Sequence, residues 1–447
     1  MSQDQDQEPR TIDLNGLIGG IWNSGEAWEN LITLTDRLEH RFAGSAGERT
    51  AADYIRERFA AYGLKDVKQQ EFEFQGWERG STTLRLISPI EKQLDAIALP
   101  YSPAGKVHGE LVFLEDGLET DFQNTDITDK IVMVTSATPG HHRRWLHRGE
   151  KYSLTVEGGA QAFVFMNHYP GLLPPTGSLR SNRIGEIPGI GISKEIGAYI
   201  ARWLKDGPVE AVVNVEATAK PGASRNVIGV LAPEANDVEI VIGAHYDGHD
   251  ISQGALDNGT GVVVLMELAR ALAPSEAQLK RPVRFVAFGA EEVGLIGSRH
   301  YADGYDPERI GVMLNLDGPG RARDLRFRVH GFQELAELIN KFSKEIRYPL
   351  EVIDEPAPFS DHWPFVARGI PACYVQPKTG DRGRGWGHTE ADTLDKVDLR
   401  NIKENTMVLA QLVLKLARDP LEIPHKRPEE IERMVEETGL TRGISWL

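Results

Sequence analysis

The stretch VEIVIGAHYDGHDISQGALDNGTGVVVLMELARAL, residues 238–272, decides the fold of this chain. It starts with a short apolar run typical of a buried strand, passes through a region rich in Gly and Asp, and ends in a helical pattern. The same alternation continues in five later segments: VRFVAFG (283–289), GVMLNLD (311–317), FQELAELINKFSKEI (332–346), IPACYVQ (370–376) and LRNIKENTMVLAQLVLKLA (399–417). This alternation predicts an α/β fold with a mixed, mostly parallel central sheet flanked by helices.

The region before this layer divides into two parts. Residues 25–64 predict two amphipathic helices, the second of which starts with a capping-box pattern at Ser45 and Glu48. Residues 85–220 contain short strand patterns such as GELVFL, KIVMV and AQAFVFMN, separated by Gly, Pro and Asp. Because the two N-terminal helices alone cannot bury their apolar faces, we expect them to complete the α/β layer, which makes the β-rich part an insertion. The predicted segments are the first part of the main domain at 1–84, the inserted domain at 85–220 and the rest of the main domain at 221–447.

The overall composition limits the partners. The chain has 447 residues, and 50 Lys and Arg against 66 Asp and Glu give a net charge of −16, which argues against binding nucleic acid or an acidic membrane. No apolar run approaches the roughly 18 residues of a membrane span, and the first thirty residues lack a signal-peptide pattern. We therefore expect a cytoplasmic protein, although a mature secreted form is compatible with the sequence. The single cysteine, Cys373, excludes an intrachain disulfide and a cysteine-rich zinc site.

Residues that can bind metal ions follow several predicted strands. Ligands of an open α/β sheet bind beyond the carboxyl ends of its strands, so these positions carry the most information about function. The candidates are His245 after strand 238–243, Asp257 at the start of the next helix, Glu291 and Glu292 after strand 283–289, Asp317 after strand 311–316, and His388 in the loop after strand 370–376. Each alone is more easily explained as a helix cap or a surface residue. Their recurrence at one edge of one sheet favours a common site.

Two imidazoles and three carboxylates can bind two divalent ions if one carboxylate bridges them, and we assign that bridge to Asp257. Two ions about 3.5–4 Å apart can share one water and lower its pKa. Since Glu292 serves as a ligand in this arrangement, Glu291 is the candidate general base. Asp247, two residues after His245, is either a turn residue or a carboxylate that orients a ligand imidazole for catalysis.

Six motifs occur in an order that resembles the zinc aminopeptidase and glutamate carboxypeptidase family: GAHYDGHD, GALDNGTGV, AFGAEEVGLIGS, NLDGPG, SDHWPF and GHTEADT. The resemblance covers roughly residues 25–75 and 225–417. It implies a zinc exopeptidase fold with two zinc ions and Glu291 as general base. The ligands that it implies are His245 and Asp317 for one ion, Glu292 and His388 for the other, and Asp257 for both.

The inserted segment is similar to a protease-associated (PA) domain in KVHGELVFL, TDKIVMV, GGAQAFVFMN and EIPGIGIS. Such domains lie over the active site, which makes Arg180 and Arg183 candidate substrate contacts; solvated loop arginines are the competing interpretation.

Further candidates lie in three loops. His249 could line the pocket or face solvent, and we expect it to face solvent. Asp361 and His362 start a predicted helix near the site and are candidate substrate contacts, with helix capping as the alternative. Arg382 and Arg384 could bind a substrate carboxylate.

The favoured function is a peptidase that releases N-terminal amino acids from peptides with the help of two zinc ions. Cobalt or manganese also suits such ligands. Three alternatives stay open: a glutamate-type carboxypeptidase, supported by the arginines, a single-zinc acyltransferase resembling glutaminyl cyclase, and a receptor-like binding protein that has lost catalysis. The sequence leaves the preferred side chain and the oligomeric state open, and a homo-oligomer is compatible with it.

Overall fold

The computed structural model describes residues 13–38, 40–142, 144–232, 238–378 and 385–438. Within these ranges fourteen strands join in one sheet. The strands are β1 Lys65–Ser88, β2 Lys92–Leu94, β3 Ile97–Ala98, β4 Gly105–Phe113, β5 Ile131–Thr135, β6 Ala162–Met166, β7 Gly189–Ile192, β8 Val209–Leu231, β9 Glu239–His245, β10 Val283–Phe288, β11 Ile310–Leu316, β12 Leu325–Arg328, β13 Glu351–Ile353 and β14 Ala372–Pro377.

Twelve α-helices accompany the sheet in the described part of the chain. They are α1 Leu14–Asn23, α2 Glu26–Ile32, α3 Ala46–Ala61, α4 Glu119–Gln123, α5 Arg148–Glu157, α6 Lys194–Asp206, α7 Thr260–Leu272, α8 Ile296–Asp303, α9 Gln333–Ile346, α10 Trp363–Val366, α11 Leu399–Arg418 and α12 Pro428–Thr438. None of these helices is both long enough and apolar enough to cross a bilayer.

The main domain contains the mixed, mostly parallel sheet that the sequence predicts. The strand order at this end is β13, β12, β14, β11, β9, β10, β8, and the neighbours from β14 to β10 run parallel. At the two sides of this parallel group, β8 is antiparallel to β10 and β12 is antiparallel to β14, whereas β13 is parallel to β12. β9 and β11 are buried along their whole length, as expected of parallel strands covered on both faces.

Helix α7 lies at the centre of the main core. Nearly all of its residues are buried, and it contacts α1, α2, α3 and α11. The N-terminal helices therefore complete the α/β layer, because their buried apolar residues belong to the same core as α7 and the central strands.

A long antiparallel ribbon of β1 and β8 connects the main domain to the insertion. Its register runs from Lys65 opposite Val230 to Ser88 opposite Glu210. The predicted boundaries after residues 84 and 220 lie inside these strands. The segment KPGAS, residues 220–224, pairs with β1 and continues the ribbon instead of forming a turn. The domain division thus stays a prediction. Separate apolar cores lie at the two ends of the ribbon, and the insertion adds helices α4 to α6 to its strands.

Candidate metal centre

The parallel register of the central strands brings the predicted metal ligands together. His245 is the last residue of β9 and pairs with Phe288, the last residue of β10. The glutamate pair 291–292 follows β10, and Asp317 follows β11, the other neighbour of β9. These side chains consequently meet at one edge of the sheet, and all of them are largely buried.

Asp257 lies between the two imidazoles. Its Oδ1 is 3.4 Å from His245 Nε2, and its Oδ2 is 3.3 Å from His388 Nε2. On the outer sides, His245 Nε2 is 3.8 Å from Asp317 Oδ1 and His388 Nε2 is 3.5 Å from Glu292 Oε2. Two donors on a tetrahedral zinc ion with bonds of 2.0–2.2 Å are about 3.3–3.6 Å apart. The donor spacing therefore fits two ions that share Asp257.

The donor atoms form three overlapping sets, and within each set the atoms lie within 4.8 Å of one another. The sets are His249 with Glu292 and His388, His245 with Asp257 and Glu292, and His245 with Glu291 and Asp317. Glu292 Oε1 is buried and has no hydrogen-bond partner among the described residues. A bound cation would satisfy this oxygen, so the residues fit a metal centre; the third set also brings Glu291 within reach of a ligand position.

Burial raises the pKa values of the two glutamates, whereas neighbouring positive charges lower that of Asp257. Burial raises the pKa of Glu292 to about 7 and that of Glu291 well above its ordinary value. Burial alone would also raise the pKa of Asp257. The Arg321 guanidinium and the two imidazoles outweigh this and hold it well below its ordinary value. The low pKa favours the ionised form of Asp257, which is the form that binds cations.

Two further aspartates fix the backbone of the ligands. Asp247 Oδ1 and Oδ2 accept the N–H groups of Glu291 and Glu292 at 3.0 and 3.1 Å. Asp392 accepts the N–H groups of Leu256 and Asp257 at 2.7 and 2.9 Å. Asp247 was a sequence candidate, but Asp392 was missed although it lies in the quoted GHTEADT motif.

Sequence reasoning also missed side chains that contact the metal ligands. Ser360 Oγ and the Tyr374 hydroxyl donate to Asp317 Oδ2 at 2.8 and 3.1 Å. Arg321 Nη2 is 2.7 Å from Asp257 Oδ2. Ser360 lies in the quoted SDHWPF motif, whereas no local pattern distinguishes Tyr374 inside a strand or Arg321 in a loop.

Two residues of the centre have left-handed backbone conformations that are uncommon outside glycine. His388 has a φ of 58°, and Ala290, directly before the glutamate pair, has a φ of 57°. Such conformations persist where surrounding contacts fix them and concentrate at functional sites. Part of that support comes from the insertion, since the backbone N–H of Thr176 donates to His388 O at 2.8 Å.

A cavity of about 940 Å³ opens over the metal centre. The insertion supplies one wall with His147, Phe165 and Tyr169, and the main domain supplies Phe359 opposite. His147 stacks on Phe359 with ring centroids 5.3 Å apart, so the two walls touch at this point. The volume lies within the range of small-molecule and peptide-end sites.

The insertion also contacts the strand end that carries the glutamates. Ser178 Oγ donates to Glu292 O at 2.8 Å, and Ser181 Oγ donates to Gly294 O at 3.1 Å. Arg180 and Arg183, the candidate substrate contacts, both pair with Glu186 instead, at 2.8 and 2.7 Å.

The remaining candidates have different positions. The expectation that His249 faces solvent is wrong: it is 2% exposed, because contacts with Arg41 and Arg79 fix its loop, and its Nε2 is 3.0 Å from Glu292 Oε2. Asp361 and His362 are fully buried, so the structure does not bring them to the cavity wall. Arg382 and Arg384 lie outside the described residues.

Known proteins share both parts of the chain. Residues 226–413 match the model of Peptidase family M28, and residues 107–200 match that of the PA domain. Probable leucine aminopeptidase 2 of Trichophyton verrucosum is 28% identical over 96% of this chain and 89% of that protein. An aminopeptidase structure from Aneurinibacillus sp. strain AM-1 is 29% identical with a TM-score of 0.71, covering 92% of this chain and 100% of that chain. A zinc aminopeptidase structure from Bacillus subtilis is 26% identical with a TM-score of 0.70, covering 89% and 96%.

These matches agree with the geometry. The peptidase match contains all the candidate metal ligands from His245 to His388, and the PA match contains His147 and Phe165 of the cavity wall. The fold, the arrangement of the acids and imidazoles, and the two family matches confirm the resemblance inferred from the motifs. The chain therefore carries a segment that matches Peptidase family M28 and a segment that matches the PA domain.

Proposed function

We propose that this chain is a zinc-dependent aminopeptidase that releases N-terminal residues from peptides. The observation that carries the proposal is the position of Asp257, whose two oxygens lie 3.4 and 3.3 Å from the imidazoles of His245 and His388. This arrangement suits a carboxylate that bridges two ions. The similarity to a probable leucine aminopeptidase and to a zinc aminopeptidase supports both the metal and the reaction.

The ligand assignment follows from the donors on either side of Asp257. Asp317 lies beside His245, and Glu292 lies beside His388. When bound there, zinc supplies a Lewis acid that polarises the substrate carbonyl and lowers the pKa of water. The side chains of the protein provide the positions, and Asp247 and Asp392 keep the backbone of the ligands in place.

Glu291 is the residue to which we assign proton transfer. Its carboxyl group is buried beside His245 and Glu292, and burial raises its pKa well above the ordinary value. A carboxyl group with a raised pKa can take a proton from the attacking water and give it to the leaving amine at neutral pH. The charge of a neighbouring cation would lower this pKa towards the operating pH.

The described part of the cavity favours an aminopeptidase over a carboxypeptidase. A carboxypeptidase needs free guanidinium groups for the C-terminal carboxylate. The cavity arginines of the described residues already have partners: Arg144 with Glu150, Arg328 with Glu355, and Arg321 with Asp257. Arg148 donates to Ser178 O and Thr176 O. The carboxypeptidase alternative thus depends on Arg382 and Arg384, and a single-zinc acyltransferase would leave part of the donor set unused.

The test combines metal analysis with a choice of substrates. We expect about two zinc ions per chain, loss of activity on chelation and recovery on adding zinc. The loaded protein should cleave aminoacyl anilides, which have a free α-amine, and leave N-blocked dipeptides intact. Cleavage of the blocked substrates alone would overturn the aminopeptidase proposal while keeping the metal centre, and the absence of bound metal would overturn both.

A further inference from the structure

His249 is a buried residue beside the proposed centre. Its side chain is 2% exposed, and neither ring nitrogen has a hydrogen-bond partner in the described structure. A buried polar group without a partner costs about 1–3 kcal/mol, so such groups call for an explanation such as an unseen ion. His249 does not line the cavity, which argues against a direct role in substrate binding.

The contact between His249 and Glu292 is close, but it does not have the direction of a hydrogen bond. His249 Nε2 is 3.0 Å from Glu292 Oε2. The same oxygen is 3.5 Å from His388 Nε2, and the two imidazole rings meet edge to face at a centroid distance of 4.5 Å. The three donor atoms lie within 4.8 Å of one another. Donors of one tetrahedral ion converge in this way, each pointing at the centre instead of at its neighbour.

The loop that carries His249 is fixed on both sides. The N–H of Gly248 donates to Arg41 O at 3.1 Å. Asp250 accepts two hydrogen bonds from Arg79, at 2.6 and 2.7 Å. A ligand held this way loses little conformational entropy when a metal binds, which raises the affinity of the site.

We propose that His249 is a further zinc ligand, which completes with Glu292, His388 and Asp257 the site on that side of the centre. This inference rests on the proposed metal binding. It makes the two sites unequal. With the shared Asp257 of the proposed function, the site with His249 would have four protein donors, a number typical of closed structural zinc sites. The site of His245, Asp317 and Asp257 would have three and keep a position open, as catalytic zinc sites do. The chain would therefore bind one ion tightly and exchange the other more readily.

The experiment measures zinc affinity in competition with a chromophoric chelator, independently of activity. Wild type should bind two ions with different affinities. His249→Phe keeps a ring of similar volume without a donor, and we expect the tighter affinity to fall at least 10-fold and the weaker affinity to stay within threefold. His330→Phe is the matched control, since His330 is equally buried and lies outside all three donor sets; it should keep both affinities.

A second variant covers the case in which the phenylalanine disturbs the fold. His249→Ala should lose the tight site and recover it when free imidazole is added, and the absorption of the cobalt-loaded protein should change and recover in parallel. Wild-type affinities in His249→Phe, or an alanine variant that imidazole does not restore, would overturn the assignment. A wild-type chain that binds no zinc would instead overturn the proposed function itself, so the two failures are distinguishable.

Discussion

The carboxylate of Asp247 accepts the backbone N–H of Glu291 at 3.0 Å, and its other oxygen accepts the N–H of Glu292 at 3.1 Å. One fully buried aspartate from the β9 loop thereby positions both glutamates after β10. Its contact with the imidazole is weaker, since Asp247 Oδ1 is 3.7 Å from His245 Nδ1. Asp247 acts mainly by fixing the backbone of the glutamates.

Asp247→Asn should weaken both metal binding and catalysis. An amide accepts through only one oxygen, so one of the two buried N–H groups would lose its acceptor, at a cost of about 1–3 kcal/mol. Loss of such outer contacts typically lowers metal affinity or activity 10–100-fold. Zinc competition and kcat/KM measure the two effects, with Asp53→Asn, at a half-buried position away from the glutamates, as a control that should match wild type. Unchanged zinc affinity and activity would contradict the positioning role.

Glu291→Gln and Glu292→Gln separate the two roles given to the glutamates. The first should keep both zinc ions and lose 10²–10⁴-fold in kcat, because only the proton carrier is removed. The second should lose zinc, because a ligand is removed. Metal analysis beside kcat at saturating zinc checks both variants. Since Glu291 also lies in a possible donor set, loss of zinc in Glu291→Gln would mean that the two roles are reversed.

The pH dependence of stability should reveal the buried Glu48. Burial raises its pKa from 4.5 to about 8. Between these values the unfolded chain has lost the proton while the folded chain keeps it, so the free energy of unfolding falls as pH rises, by about 1.4 kcal/mol per pH unit in the middle of the window. Glu48→Gln removes this titration. Urea unfolding from pH 5 to 8 should therefore give a flatter profile for the variant, and parallel profiles would contradict the raised pKa.

Glu48 also marks a limit of sequence reasoning. The capping box predicted at Ser45 is half formed, since Ser45 Oγ accepts the N–H of Glu48 at 3.0 Å. The carboxylate of Glu48 instead accepts from Gly44 N at 2.6 Å and from Ser224 Oγ at 2.5 Å. Ser224 lies on β8, 176 residues away in the sequence, and no local pattern can identify such a partner.

The central sheet and the candidate ligands could be predicted because both depend on local signals. Buried parallel strands are continuous apolar runs, and the polar residues that follow them must lie at one edge. The burial of His249 could not be predicted, because it depends on contacts of its loop with Arg41 and Arg79, which come from distant segments of the sequence. The ribbon was missed for a related reason: the segment at 220–224 has the residues of a turn, but pairing with β1 keeps it extended.

Arg79 should stabilise the contact between the main domain and the inserted PA domain. It pairs with Asp250 of the main domain, and the two side chains are 12% and 15% exposed. Its guanidinium lies 5.2 Å from the centroid of Trp77, and its Nη2 donates to Thr176 Oγ1 of the insertion at 3.2 Å. Burial alone would raise the pKa of Asp250, yet Arg79 brings it below the ordinary value. The carboxylate is thus ionised and depends on this one guanidinium for compensation.

Arg79→Ala should lower the free energy of unfolding by about 1.5–3 kcal/mol, because charge-assisted hydrogen bonds away from solvent are lost and the partner stays buried. The matched control is Lys220→Ala on the same ribbon, whose pair with Glu78 at 2.9 Å is largely exposed. Solvent screens such a pair, so this variant should unfold at the same urea concentration as wild type. Urea unfolding of the zinc-free proteins compares the two. Equal midpoints for the two variants would mean that the insertion is held by its ribbon and core alone, and that the Arg79 pair adds nothing to the junction.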